Sequence, residues 1–300
     1  MEAGLSRAHE MGGDLVGEEL TPLSHPIRVK HMCSEVSGVD NSSFWDEKAS
    51  DYPLPGEDES LERNFGLIDI IAAKGVPIGQ STILDIGCGV GGFTLPLAKR
   101  GAVVTALDFS RNMLGKLSKE AKRLGLEDVR CLHCSWKDID PVVLRLEKAF
   151  DLVLSAFSQA VETEQDLLEM ERCSRKWCAY IATGRIQRDA PMEQLFRTLH
   201  VPRNPRPDIR GITPILKNMG RDFLLEFITI TMNEPTTSNK LIEQIALRLE
   251  AAGKKPNWGR IAAGVSSLPS TSSEGVQYIQ CWRQAEIGIL IWKVDEVCSQ

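Results

Sequence analysis

The residues with the clearest chemical potential lie in Thr82-Ile-Leu-Asp-Ile-Gly-Cys-Gly-Val-Gly-Gly-Phe-Thr94. An apolar run rich in β-branched residues stops at a set of glycines and a helical pattern follows, which predicts a strand, a tight turn and a helix N-terminus. Such a turn brings backbone N–H groups close to a ligand. The spacing Gly87-x-Gly89-x-x-Gly92 also fits a dinucleotide-binding turn, so the glycines by themselves leave the nucleotide-like ligand open. Asp85 narrows the choice. A carboxylate at the end of the first strand repels a pyrophosphate and suits a ligand bearing ammonium and sulfonium charges. About 20 residues after the turn, Asp108 closes the apolar run Ala102-Val-Val-Thr-Ala-Leu107, where a carboxylate can accept both hydroxyls of a ribose. Ahead of Ser110, the same Asp108 also reads as a favourable charge at a helix N-terminus.

Asp85-x-Gly87-x-Gly89-x-Gly91 resembles the first motif of the class I S-adenosylmethionine (SAM)-dependent methyltransferases, an acidic residue followed by three glycines at alternate positions. The resemblance spans roughly residues 65–185. It implies SAM as cofactor, bound by Asp85, Gly87, Cys88, Gly89 and Gly91, with Asp108 on the ribose and Phe109 against the adenine. Met113 and Ser155 complete the implied set. The family usually carries an Asp after the third strand that meets the adenine amino group, and this chain has Ser135 there. Adenine recognition then falls to Ser135, to Trp136, whose ring could stack on the base, to backbone groups, or to Asp138. The segment Ser43-Phe-Trp-Asp-Glu-Lys-Ala-Ser-Asp-Tyr52 is similar to an element that folds over the cofactor in many small-molecule methyltransferases. Trp45 and Tyr52 are thereby candidate lid residues, although an amphipathic helix packed on the core has the same pattern.

The elements that must position these groups follow from periodicity. Phe65, Leu67, Ile68, Ile71 and Ala72 recur at helical spacing and end at Gly75, leading into the first strand. Met113, Leu114, Leu117, Ala121 and Leu124 form a second stripe, closed by Gly125, whose pattern is that of core packing. Val129–His133, Phe150–Ser155 and Trp177–Thr183 read as the third, fourth and fifth strands, with a helix after Thr163. Phe223–Thr231 and Ile287–Val294 read as two late strands, separated by a turn at Pro235–Asn239, a helix through Leu241–Leu249 and a loop over Gly264–Gly275. The expected fold is a doubly wound, mostly parallel α/β sheet of seven strands, the strand number being implied by the family. The organisation drawn from these signals is an N-terminal arm (1–40), a cover segment (41–64), a SAM-binding core (65–185), a basic lid (186–221) and C-terminal strands with a helical insertion (222–300).

The basic stretch is local. Arg185–Arg221 carries a net charge of about +5 within a chain of net charge −6, and it reads either as a solvated surface or as a lid attracting an anionic substrate, with His200 a candidate base. The overall acidity argues against a protein that coats nucleic acid. No run reaches the ~18 apolar residues of a membrane span, so the chain is expected to be cytoplasmic. The eight cysteines fit reduced thiols, and Cys131-x-x-Cys134 lacks a second pair or a His cluster, so no metal is expected.

The loop Ala156-Phe-Ser-Gln-Ala160 lacks the Asn/Asp-Pro-Pro-Tyr type of sequence that amino-methylating enzymes of nucleic-acid bases carry. A small-molecule acceptor, methylated at O, N, S or C, is therefore the first expectation. Methylation of RNA or protein is second, and a non-catalytic SAM-binding module or an NAD(P)-dependent oxidoreductase stands behind both. No general base is fixed by the sequence; Tyr52, Gln159 and His200 are the candidates.

Overall fold

Runs of β-branched and aliphatic residues, apolar on both faces, build a parallel sheet because helices cover it on each side. The structure is a computed structural model and describes residues 42–50, 52–55, 60–201, 208–251, 253–273 and 276–294. Five strands run in parallel: β1 (Thr82–Ile86), β2 (Val103–Asp108), β3 (Val129–His133), β4 (Phe150–Ala156) and β5 (Ser174–Arg188). Two late strands complete the order β3-β2-β1-β4-β5-β8-β6, with β8 (Val276–Lys293) inserted antiparallel between β5 and β6 (Phe223–Thr237). The order reverses direction between β1 and β4, and a doubly wound sheet opens its ligand crevice at that switch point.

The alternation of side chains fixes which helices lie where. Ile83, Leu152, Leu154, Ala179 and Ile289 face α2 (Ser60–Ala73) and α3 (Thr94–Lys99). Leu84, Ile86, Val153 and Leu290 face α5 (Glu164–Cys173), α7 (Ile209–Asn218) and a 3₁₀ turn at Trp136–Asp138. Helix α4 (Arg111–Arg123) covers β2 and β3 through Leu114, Leu117 and Ala121. Thr163 and Asp166 close a reciprocal capping box that starts α5. Asp151 ties β4 to β1 by accepting from Thr82 N and Oγ1, each at 2.9 Å.

Several boundaries differ from those read in the sequence. Helix α2 crosses the expected 64/65 boundary, and its buried face is Arg63, Asn64, Leu67, Ile68 and Ile71, while Ala72 is exposed. Strand β5 passes Gly184 and runs to Arg188 because β8 continues to pair with it. Pro235 does not turn the chain: it sits in β6 opposite Gln280, and this is an edge strand, where a residue without an N–H is tolerated. The stretch expected as loop after Gly264 holds the end of α9 (Trp258–Ser266) and an eighth strand, β7 (Ser270–Ser273), which pairs with Val276–Ile279 of β8. Backbone pairing with an existing strand overrides the weak strand propensity of its serines.

The basic stretch is not one lid. Helix α6 (Ala190–Thr198) packs through Met192 and Leu195 with α8 (Ser238–Ala251), α9 and Ile279 into a second, smaller core, while α7 lies on the main sheet through Ile209, Ile212 and Leu216. Pro202 to Pro207, with Arg203 and Arg206, and the arm 1–40 lie outside the described residues. Among the described residues, no helix is long and apolar enough to cross a membrane.

Candidate active site

The turn after β1 depends on its glycines. Gly87, Gly89 and Gly91 all adopt positive φ, at 67°, 55° and 94°. A Cβ on Gly87 would lie 1.9 Å from Ser158 Oγ, and one on Gly91 would lie 2.4 Å from Leu117 Cδ1. Only glycine combines this backbone with so close an approach. The turn forms one wall of an open cleft lined also by Tyr52, Asn64, Phe93 and Phe157.

Asp85 lies on the floor of this cleft. It is 2% exposed and accepts a 2.6 Å hydrogen bond from Thr94 Oγ1 at the start of α3. Among the described residues it has no salt-bridge partner. Burial pushes its pKa up to about 6, opposed by the Thr94 hydrogen bond and reinforced by the nearby Asp108. A buried carboxylate lacking a cation suits a cationic ligand.

At the tip of β2, Asp108 accepts from Gly89 N through Oδ2 and from Ser110 N through Oδ1, both at 2.9 Å. Burial raises its pKa, and the backbone donors at Ser110, Gly89 and Phe109 oppose that rise. Phe109 follows it, half-buried. The cover closes from α1 (Ser42–Lys48): Trp45, Ala49, Tyr52 and Leu54 pack on Val90 and Met113. Tyr52 thus lines the cleft, while Met113, 2% exposed, is a packing residue beneath the cover.

Not every expected residue reaches this site. Trp136 is 3% exposed and packs against Leu84, Leu107 and Val153 in the core, so its ring has no open face for a base to stack on. Ser155 is wholly buried, and its hydroxyl has no hydrogen-bond partner among the described residues. Ser135 is half-buried between β3 and the 3₁₀ turn, and Gln159 is half-buried in the loop after β4; neither lines the cleft. His200 is exposed at the end of α6, where its carbonyl accepts from Lys254 Nζ at 3.0 Å, and it too lies outside the cleft lining.

The sequence reading missed Arg63 and Asn64, which line the cleft together with Phe93 and with Phe157 of the loop after β4. Asn64 Nδ2 donates to Gly92 O at 2.8 Å and its Oδ1 accepts from Arg63 Nε at 3.0 Å. The guanidinium of Arg63 lies 5.2 Å from the ring centroid of Phe157, which holds a φ of 52°. A signal was present: Arg63, Leu67 and Ile71 recur four residues apart, which places a charged residue on the apolar stripe of a helix.

A parallel sheet with carboxylates at the tips of adjacent strands around a glycine turn is the arrangement of a class I SAM-dependent methyltransferase core. Residues 83–176 match the family described as methyltransferase domain, and this part of the chain is such a domain. A phosphatidylethanolamine N-methyltransferase of Cereibacter sphaeroides is 32% identical over 110 residues, 36% of this chain and 52% of that protein. A 23S rRNA (uracil-C5)-methyltransferase of Alteromonas mediterranea is 36% identical over 78 residues, 26% of this chain and 16% of that protein. A solved structure from Anaeromyxobacter dehalogenans, assigned as a type II methyltransferase, superposes with a TM-score of 0.50 at 15% identity, covering 77% of this chain and 96% of that one. That likeness shows the fold. The chain spans roughly half or less of the length of the curated relatives it matches.

Proposed function

We propose that this chain transfers the methyl group of SAM to a small-molecule nucleophile enclosed between the glycine turn and the α1 cover. The observation that carries the reading is Asp85, a buried carboxylate in the cleft with no cationic partner among the described residues, one strand away from Asp108. When bound, SAM supplies an electrophilic methyl group on a sulfonium. Asp85 would offset positive charge at the donor's amino-acid end, and Asp108 with Gly89 N would take the ribose hydroxyls. The cover residues Tyr52, Pro53 and Pro55 exclude water, which sharpens alignment and strengthens each electrostatic contact.

Among the described residues that line the cleft, Asp85 is the sole carboxylate, and Tyr52 is the base candidate of the sequence that reaches it. The rRNA relative matches 78 residues, 16% of its own length, and supports no particular acceptor. Calorimetry tests the donor: SAM and S-adenosylhomocysteine should bind while NAD and NADP give no heat, and the reverse overturns the reading. Labelled methyl transfer from SAM into a cell extract, followed by mass spectrometry of the product, identifies the acceptor.

A further inference from the structure

Ser110 is held by two carboxylates at once. Its N–H donates to Asp108 Oδ1 at 2.9 Å, and its hydroxyl donates to Asp46 Oδ1 on α1 at 2.5 Å. The same hydroxyl accepts from Met113 N at 3.2 Å, which caps α4. Asp46 Oδ1 also accepts from Asn112 N at 3.1 Å, and its carbonyl accepts from Asn112 Nδ2 at 3.0 Å. A second tie lies one turn along α4, where Lys116 Nζ donates to the carbonyls of Ser50 and Tyr52 at 3.0 and 2.8 Å. The cover is therefore fastened to the N-terminal half of α4 by charge-assisted bonds. Beneath them Asp108 Oδ2 holds Gly89 N of the glycine turn.

These bonds form one chain, Gly89–Asp108–Ser110–Asp46, running from the donor turn to the cover. We propose that Asp46 is a positioning residue that couples closure of α1 to occupation of the donor site through Ser110 and Asp108. The inference rests on the SAM reading above. Asp46 is not among the residues that line the cleft; its effect passes through Ser110 and the seating of Tyr52. The first residues of α4 accept the negative charge of Asp46 favourably, since free N–H groups and the helix dipole point at it, and its pKa is lowered by the Ser110 hydrogen bond. Because Ser110 holds Asp108 through its N–H and the cover through its hydroxyl, ordering one side lowers the cost of ordering the other.

The test is the rate at which SAM leaves. In Asp46→Ala, stopped-flow dissociation of SAM should quicken by about tenfold, a change of one decade for each 1.4 kcal/mol, with the association rate and the melting temperature of the free protein little altered. The double variant Asp46→Ala/Ser110→Ala should dissociate no faster than the faster single variant, whereas independent effects would multiply. In the wild-type protein, saturating SAM should slow amide exchange across Ser42–Lys48, and this protection should be lost when Asp108→Ala is saturated with SAM. An unchanged dissociation rate in Asp46→Ala, multiplying effects in the double variant, or α1 exchange indifferent to SAM each overturns the coupling. Failure of the wild-type chain to bind SAM at all sinks the donor reading, and this inference with it.

Discussion

Burial leaves Asp85 with Thr94 as its side-chain hydrogen-bond donor and no cation among the described residues, so its charge opposes folding and awaits a ligand. Its folded pKa of about 6 stands above the ordinary 3.8, so the folded chain binds the proton more tightly than the unfolded one. The stability conferred by that proton is present below 3.8 and lost as the pH rises through about 6. At pH 7 the strained charge costs on the order of 3 kcal/mol. Asp85→Asn, which keeps an acceptor for Thr94, should therefore melt no lower than wild type at pH 7, while its SAM affinity falls at least about tenfold. Wild-type affinity for SAM should rise as the pH passes through about 6 and the carboxylate forms, and this rise should vanish in Asp85→Asn. Calorimetry across that range checks both; an Asn variant binding SAM like wild type removes Asp85 from the donor site.

At the scale of elements, the basic stretch divides between structure and surface. Arg221, between α7 and β6, makes paired 2.8 Å hydrogen bonds to both oxygens of Glu171 on α5, and Trp292 of β8 donates to the same carboxylate at 3.0 Å. Glu171 is 6% exposed, and removing its cation would strand a buried charge, which typically costs ~3–5 kcal/mol. Arg221→Met should lower stability by roughly 3 kcal/mol in denaturant melts and leave SAM affinity unchanged. A variant as stable as wild type would return Arg221 to the role of a free surface charge. Arg210 pairs with Glu286 and Arg188 stacks on Phe196, so these cations too are engaged within the fold.

Across the whole molecule, β5, β6 and β8 extend past the parallel sheet, and the extension carries its own core of α6, α8 and α9 around Ile245, which is wholly buried. The extension leaves the C-terminal edge of the sheet, the edge at which the cleft opens beside β1 and β4, yet among the described residues the cleft draws no lining residue from this second core. Ile245→Ala should destabilise the extension by about 2–5 kcal/mol. Amide exchange should quicken across 238–251 and 258–266 while SAM affinity stays within about twofold. A loss of SAM binding in step with that exchange would show the two cores to be one cooperative unit.

The sequence by itself determined the glycine turn after β1, the acidic residues of β1 and β2 beside it, and the parallel core. Each is a local signal: glycines at positions that need positive φ, an acidic residue closing an apolar run, and strands apolar on both faces. For the segment around Trp45 and Tyr52 it left a lid and a packed helix open, and in the structure the segment packs on Val90 and Met113. Only the tertiary structure decided that Trp136 and Ser155 are buried, because depth within the sheet depends on which helix lies above each strand tip. It alone brought Arg63 and Asn64 to Gly92, residues 28 apart along the chain in the case of Asn64. The division of the basic stretch between two cores, the long late strands and the link from Asp46 to Asp108 likewise arise from contacts between distant segments, whose partners no local periodicity names.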